Sequence, residues 1–134
     1  MISVAVIGGG ASGMAFAVAL KQKRPDIEVT VFEKNPKVLK KILVTGNGRC
    51  NILNFGAVAE NYFEACEFVR PAVEKYAPKK TEAIFRDMGL LLMSEQEGRA
   101  YPISQTAASV VCVLSSAAER VGVKVFTDTP VKSI

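Results

Sequence analysis

The sequence predicts an α/β fold whose parallel sheet is entered through a strand–helix–strand unit. Three observations carry that prediction: a β-branched run that stops at glycines, a helix-forming stretch directly behind it, and a second alternating β-branched run, all before residue 34. The chain has 134 residues, of which 49% are hydrophobic and 22% charged, enough for one globular domain with a core of its own.

Taken in order, Ile2–Ile7 (ISVAVI) reads as a strand buried on both faces, because apolar residues run through it without alternation. Ala11–Lys23 reads as a helix, with Lys21, Lys23 and Arg24 suited to the negative end of its dipole. Pro25 and Asp26 turn the chain, and Ile27–Phe32 (IEVTVF) is the second strand. Residues 34–54 read as a loop, punctuated by Pro36, Gly46 and Gly48. Asn61–Ala77 has helical spacing broken or kinked at Pro71, and a second helical stretch runs from Pro78 to Met88, ended by Gly89. Leu90–Met93 is a short strand before a polar turn. Thr106–Val121 is an amphipathic helix with Ala107, Val110, Val111, Leu114, Ala117, Ala118 and Val121 on one side. After Gly122, Val123–Phe126 is a third parallel strand, and Val131–Ile134 begins another extended segment. The expectation is a Rossmann-like sheet with a helical insertion between its second and third parallel strands.

Composition excludes several chemistries. The chain has no histidine, so it holds no Ser-His-Asp or Cys-His constellation and no His-ligated metal. Cys50, Cys66 and Cys112 are odd in number, widely spaced and form no CxxC, which argues against a disulfide framework or a zinc site and for a reducing, cytoplasmic setting. Cys66 and Cys112 fall in helical stretches and are expected in the core. Met1–Leu20 is uncharged, but no basic residue precedes it and Gly8, Gly9 and Gly10 interrupt it, so neither a signal peptide nor a membrane span is expected. A net charge of +4 says little about partners by itself.

Gly8, Gly10 and Gly13 match GxGxxG between a strand and a helix, enclosing Ala11 and Ser12 at the helix start. In that context Gly8 permits the tight turn, Gly10 lets a pyrophosphate approach the backbone, and Gly13 lets the helix pack close to the sheet. Glu33, twenty residues after Gly13, ends the second strand, where a carboxylate can accept both hydroxyls of an adenosine ribose. An acid there argues against a 2′-phosphate, hence against NADP at this position. Between Glu33 and Glu60 there is no acidic residue, but Lys34, Lys37, Lys40, Lys41 and Arg49 are present. These cations read either as a solvated basic face or as a loop folded over a diphosphate. With only Phe55 nearby for stacking, a nucleic-acid surface is not expected.

The run Lys41-Ile42-Leu43-Val44-Thr45-Gly46-Asn47-Gly48-Arg49-Cys50-Asn51-Ile52-Leu53-Asn54 is the most distinctive in the chain. Together with GGGxxG, Glu33-Lys34-Asn35 and Gly98-Arg99-Ala100-Tyr101-Pro102, it resembles the BaiN/RdsA-type, or aminoacetone-oxidase-like, FAD-dependent oxidoreductases. The blocks agree in order and spacing over nearly the whole chain. Leu39-Lys40-Lys41 departs from that family's Gly-Arg-Lys. The resemblance implies that residues 1–134 are the N-terminal, FAD-binding portion of a longer oxidoreductase of unknown substrate, with NAD(P)H as an electron donor to the whole enzyme. It implies that Gly8, Gly10, Ala11, Ser12 and Gly13 hold the diphosphate, and that Glu33, with Lys34 and Asn35, holds the adenosine ribose. Lys41 and the Gly46, Asn47, Gly48, Arg49, Cys50 and Asn51 loop would approach diphosphate and flavin, and backbone near Val131 would lie beside the adenine. Cys50 then reads as a small residue under the cofactor, since no second cysteine is close enough in sequence for a redox disulfide. Arg99 reads equally as a ligand contact or a solvated turn residue. This portion alone is expected to bind flavin weakly and to turn nothing over. Two other readings stay open: an NAD-binding Rossmann domain, and a non-catalytic module that associates into homo-oligomers through exposed apolar surface.

Overall fold

The computed structural model describes residues 2–133. Strand β1 (Ser3–Ile7) leads into helix α1 (Ala11–Lys23) and back to strand β2 (Glu28–Phe32). The two strands pair in parallel from Ser3↔Glu28 to Ile7↔Phe32. Much later the chain returns through helix α4 (Ala107–Arg120) to a third parallel strand at Lys124–Phe126, which adds to the other edge of β2 from Thr30↔Lys124 to Phe32↔Phe126. Strand β2 is therefore central, β1 is an edge, and the βαβ opening and α4 lie where the spacing predicts them.

The chain between these parallel strands is more than a helical insertion. It carries a 3-10 segment at Lys40–Gly48, strand β3 (Leu53–Asn54), a 3-10 segment at Ala59–Ala65, helices α2 (Cys66–Lys75) and α3 (Pro78–Asp87), and strands β4 (Leu92–Ser94) and β5 (Arg99–Pro102). Strand β5 pairs antiparallel with both β3 and β4, making a second small sheet. With these labels the third parallel strand is β6.

The core lies on one face of the parallel sheet. Val6, Val29 and Val31 alternate onto that face and meet Met14, Ala17 and Val18 of α1 and Val110, Leu114 and Ala117 of α4. The small side chains of Ala17, Ala117 and Ala118 let the two helices approach each other over the sheet. The opposite face, with Ala5, Ile7, Phe32 and Phe126 along it, has no helix upon it among the described residues, and Ile7 is 52% exposed. The Phe32 and Phe126 rings stack there at 5.9 Å. This corrects the expectation that the first strand is buried on both sides: an edge strand with one covered face shows its Ser3, Ala5 and Ile7 row to solvent.

Two further expectations are corrected. Cys112 is exposed and Cys66 only half-buried. Residue 112 stands two positions from both Val110 and Leu114, about 200° around the helix from each, so it falls opposite the buried stripe. Cys66 opens α2, none of whose residues is fully buried, and its sulfur accepts a hydrogen bond from Arg70 at 3.0 Å. As a solvent-facing thiol, Cys112 should be replaceable: Cys112→Ser is expected to change unfolding free energy by no more than about 0.5 kcal/mol, checked by urea denaturation. Residues 131–133 form no strand, and Ile134 lies outside the described residues, so the extended segment expected from Val131 is not found.

Candidate functional site

The turn from β1 into α1 is shaped by one close approach. A Cβ on Gly13 would sit 2.0 Å from the Gly8 carbonyl oxygen and 3.4 Å from a methyl of Val6. Only glycine lets the helix begin hard against the strand it follows. Gly10 caps α1 without any side-chain hydrogen bond, and no acidic residue lies in the first turn. The first intrahelical bond is Met14 N–H to the Gly10 carbonyl at 3.0 Å. The N–H groups of Ala11 and Ser12 are thus beyond the reach of any helix carbonyl and carry the positive end of the dipole.

Glu33 is buried at the end of β2 and braces this turn from the other side. Its Oε2 accepts the Gly9 N–H at 2.7 Å, and its Oε1 accepts the Asn35 backbone N–H at 2.8 Å and the Asn35 side-chain amide at 2.6 Å. The Asn35 backbone N–H, and after it the Gly9 N–H, hold its carboxyl below the usual glutamate range, so it is ionised at neutral pH. A carboxylate offers about four lone-pair sites. Three are taken, which leaves room on Oε2 for one hydroxyl; gripping two requires Asn35 to give up Oε1.

The loop after β2 folds back onto the glycine turn. The Leu39 N–H donates to the Gly9 carbonyl at 2.7 Å, and Leu39 is buried in the left-handed conformation. A Cβ on Gly9 would stand 2.5 Å from a methyl of Val38, so the middle glycine is also required. The result is a pocket of about 540 Å³. Gly9, Gly10, Ala11 and Ser12 form one wall and Glu33, Lys34 and Asn35 another. Lys37, Lys40 and Lys41 stand around it, and Leu39, Ile42 and Thr45 complete the lining.

Nine of the residues singled out from sequence line this pocket: Gly10, Ala11, Ser12, Glu33, Lys34, Asn35, Lys37, Lys40 and Lys41. Gly8 and Gly13 shape it from behind. Gly46, Asn47, Gly48, Arg49, Cys50 and Asn51 do not line it; the Lys40–Gly48 segment packs on α4, Gly46 and Arg49 meet the Tyr101 ring, and Cys50 is buried. Val131, exposed beyond β6, does not line it either. Arg99 opens strand β5, pairs with Glu97 at the surface and does not line this pocket. Sequence reasoning did not single out Gly9, Leu39, Ile42 or Thr45. The triple glycine was a signal for the first; the others are apolar or hydroxyl residues in a loop whose folding back could not be seen. Among the described residues no group of histidine, cysteine, aspartate and glutamate could hold a metal ion.

Residues 2–134 match the family described as the HI0933-like protein Rossmann domain. The chain belongs to this family. Among HI0933-like relatives it is 37% identical, over its whole length, to a 3-dehydro-bile acid delta(4,6)-reductase of Clostridium scindens, covering 33% of that protein. It is 26% identical, over 96% of its length, to a ribosomal RNA dihydrouridine synthase of Haemophilus influenzae, covering 32% of it. The chain therefore spans about a third of the length of these relatives. The crystal structure of THI4 from Thermovibrio ammonificans superposes with a TM-score of 0.61 over 94% of this chain and 38% of THI4. At 16% identity that likeness speaks to the fold, and it agrees with the Rossmann-like sheet described above. No helix among the described residues is long and apolar enough to cross a membrane.

Proposed function

We propose that this HI0933-like chain is the FAD-binding portion of a flavin-dependent oxidoreductase acting on a small molecule. The observation that carries the reading is the convergence, on one pocket, of an uncapped helix N-terminus, a buried ionised carboxylate and a set of lysines. A dinucleotide has that polarity: a doubly charged diphosphate flanked by a ribose whose hydroxyls seek an acceptor. The Ala11 and Ser12 N–H groups would take diphosphate oxygens, Glu33 Oε2 a ribose hydroxyl, and Lys37, Lys40 and Lys41 the remaining charge. The Gly46–Asn51 loop would approach the flavin end and Val131 the adenine.

FAD is favoured over NAD by the Gly48-Arg49-Cys50-Asn51 block, which an NAD site does not explain. The reductase among the relatives fits a redox cofactor of either kind. When bound, the flavin supplies hydride chemistry, which no side chain of this chain can replace. NAD(P)H is the electron donor we assign to the whole enzyme. The free thiols fit a reducing, cytoplasmic setting.

Titration of the protein with FAD, followed by flavin fluorescence, tests the reading. Micromolar or weaker binding of FAD, tighter than that of NAD, is expected. Tighter binding of NAD, or no binding of FAD at concentrations up to about 1 mM, overturns it. A Lys40→Ala, Lys41→Ala double variant is expected to fold normally and to bind FAD about tenfold more weakly at low ionic strength. The difference should shrink at about 1 M salt, where the Debye length is roughly 3 Å.

A further inference from the structure

The Gly46–Asn51 loop contains the chain's most distinctive residues, yet none of them lines the pocket, and its backbone is held in an unfavourable conformation. Gly46, Asn47, Gly48 and Cys50 all have positive φ, at 53°, 54°, 80° and 61°. Two of the four, Asn47 and the buried Cys50, are not glycines, and Arg49 before Cys50 is right-handed with φ −101°; such non-glycine conformations persist only where their surroundings determine them. Gly46 has no alternative, because a Cβ there would stand 2.5 Å from the Asn51 nitrogen and 3.2 Å from the Tyr101 ring.

Arg49 supplies the restraint. Its Nη1 donates to Glu95 Oε1 at 2.8 Å and to Gln105 Oε1 at 2.8 Å. Its guanidinium lies 4.0 Å from the centre of the Tyr101 ring. These partners come from three places: the end of β4, strand β5 and the turn before α4. One side chain thereby ties the loop to both blocks of sequence around the small sheet. The tie reaches the pocket through short steps. The Cys50 N–H donates to the Thr45 carbonyl at 3.0 Å, and the Thr45 hydroxyl donates to the Ile42 carbonyl at 2.7 Å. Thr45 and Ile42 both line the pocket. Glu95 neutralises Arg49, so this cation is spent on the protein itself, unlike Lys37, Lys40 and Lys41.

We propose that Arg49 is a positioning residue, a latch that clamps the Gly46–Cys50 loop to the β4–β5 sheet and so holds Ile42 and Thr45 in place in the lining of the pocket. Its consequence for cofactor affinity rests on the FAD reading above; the latch itself does not. The chemistry calls for arginine in particular, since a planar guanidinium can lie on the Tyr101 ring while its N–H groups bond Glu95 and Gln105, whereas an ammonium has no plane to stack.

Amide hydrogen exchange on the full chain separates this from a general structural role. Arg49→Met is expected to speed exchange at Cys50 and Ile42 at least tenfold and to leave the Val29 and Val31 amides of β2 unchanged. Arg49→Lys, which keeps charge but loses the flat stack, is expected to fall between. Should Arg49→Met fail to fold, Glu95→Gln removes only the ion pair and is expected to show the same pattern, smaller. FAD binding by Arg49→Met is expected to weaken about tenfold. Unchanged protection at Cys50 and Ile42, or acceleration spread evenly over the parallel sheet, overturns the latch. Faster exchange with unaltered FAD affinity overturns its positioning role. If the unsubstituted protein binds no FAD, the cofactor reading falls, while exchange still decides the latch.

Discussion

Gly13→Ala is expected to lose about 3 kcal/mol or more of folding free energy, from a domain that has about 5–15 kcal/mol in all. The added methyl carbon would lie 2.0 Å from the Gly8 carbonyl oxygen, and that oxygen belongs to backbone that cannot swing aside. Relief requires lifting α1 off β1, which opens the contact between Met14, Ala17 and Val18 and the buried valines of the sheet. Gly10→Ala is the control: nothing stands within 4 Å of the Cβ it would carry, and its φ of −75° suits any residue. It is expected to cost less than about 1 kcal/mol. Urea unfolding of the two variants beside the parent measures both; similar midpoints for Gly13→Ala and the parent would refute the packing argument.

Glu33→Gln carries the second large effect. The carboxylate accepts from the Gly9 and Asn35 N–H groups on its two oxygens, and a glutamine must turn an amide N–H₂ toward one of those donors. A loss of about 1–3 kcal/mol at neutral pH follows from setting a donor against a donor in a buried place. The pH dependence is specific in sign. The folded-state pKa of Glu33 lies below its ordinary value, so its contribution is fully present above about pH 4.3 and is lost as the pH falls through the lowered folded value. The stability gap between parent and variant should therefore be widest near neutrality and close on acidification, read by urea unfolding at about pH 7 and about pH 3. A gap independent of pH would mean that the charge of Glu33 contributes nothing to the turn.

What was legible in the sequence follows the range of the interactions involved. The βαβ opening is written in consecutive residues: Ile2–Ile7, the glycines, Ala11–Lys23 and Ile27–Phe32 carry strand, turn, helix and strand in their own composition. The stripe Ala107, Val110, Leu114, Ala117 placed α4, because helical periodicity is a local signal. Of the small sheet only β4 was legible, read as Leu90–Met93 and found at Leu92–Ser94. Strand β3 is two residues long, and β5 is Arg-Ala-Tyr-Pro, a stretch with no alternation and a proline at its end. These two strands are made by their partners, which no window of sequence contains. The same holds at the site. Glu33 and the glycines were visible because their chemistry is fixed by residue type. The wall of Leu39, Ile42 and Thr45 was not, since it exists only once the Leu39 N–H has found the Gly9 carbonyl. Cys112 was expected in the core although it stands outside the stripe read for its own helix, and a position two residues from a buried one faces away.

The register of β6 on β2 has a consequence for the order in which the molecule can form. The first strand, helix and second strand are complete by residue 32, and their contacts are short in sequence. The other edge of β2 is closed only by Lys124–Phe126, and the ion pair that crosses it, Lys124 with Glu28, joins residues 96 apart. During synthesis β2 thus has a bare edge for as long as the ribosome is still making the helices and the small sheet. Loop-closure entropy makes that last pairing slow, and α4, which immediately precedes β6, must be in place to deliver it. The central strand is among the first to be made and among the last to be enclosed.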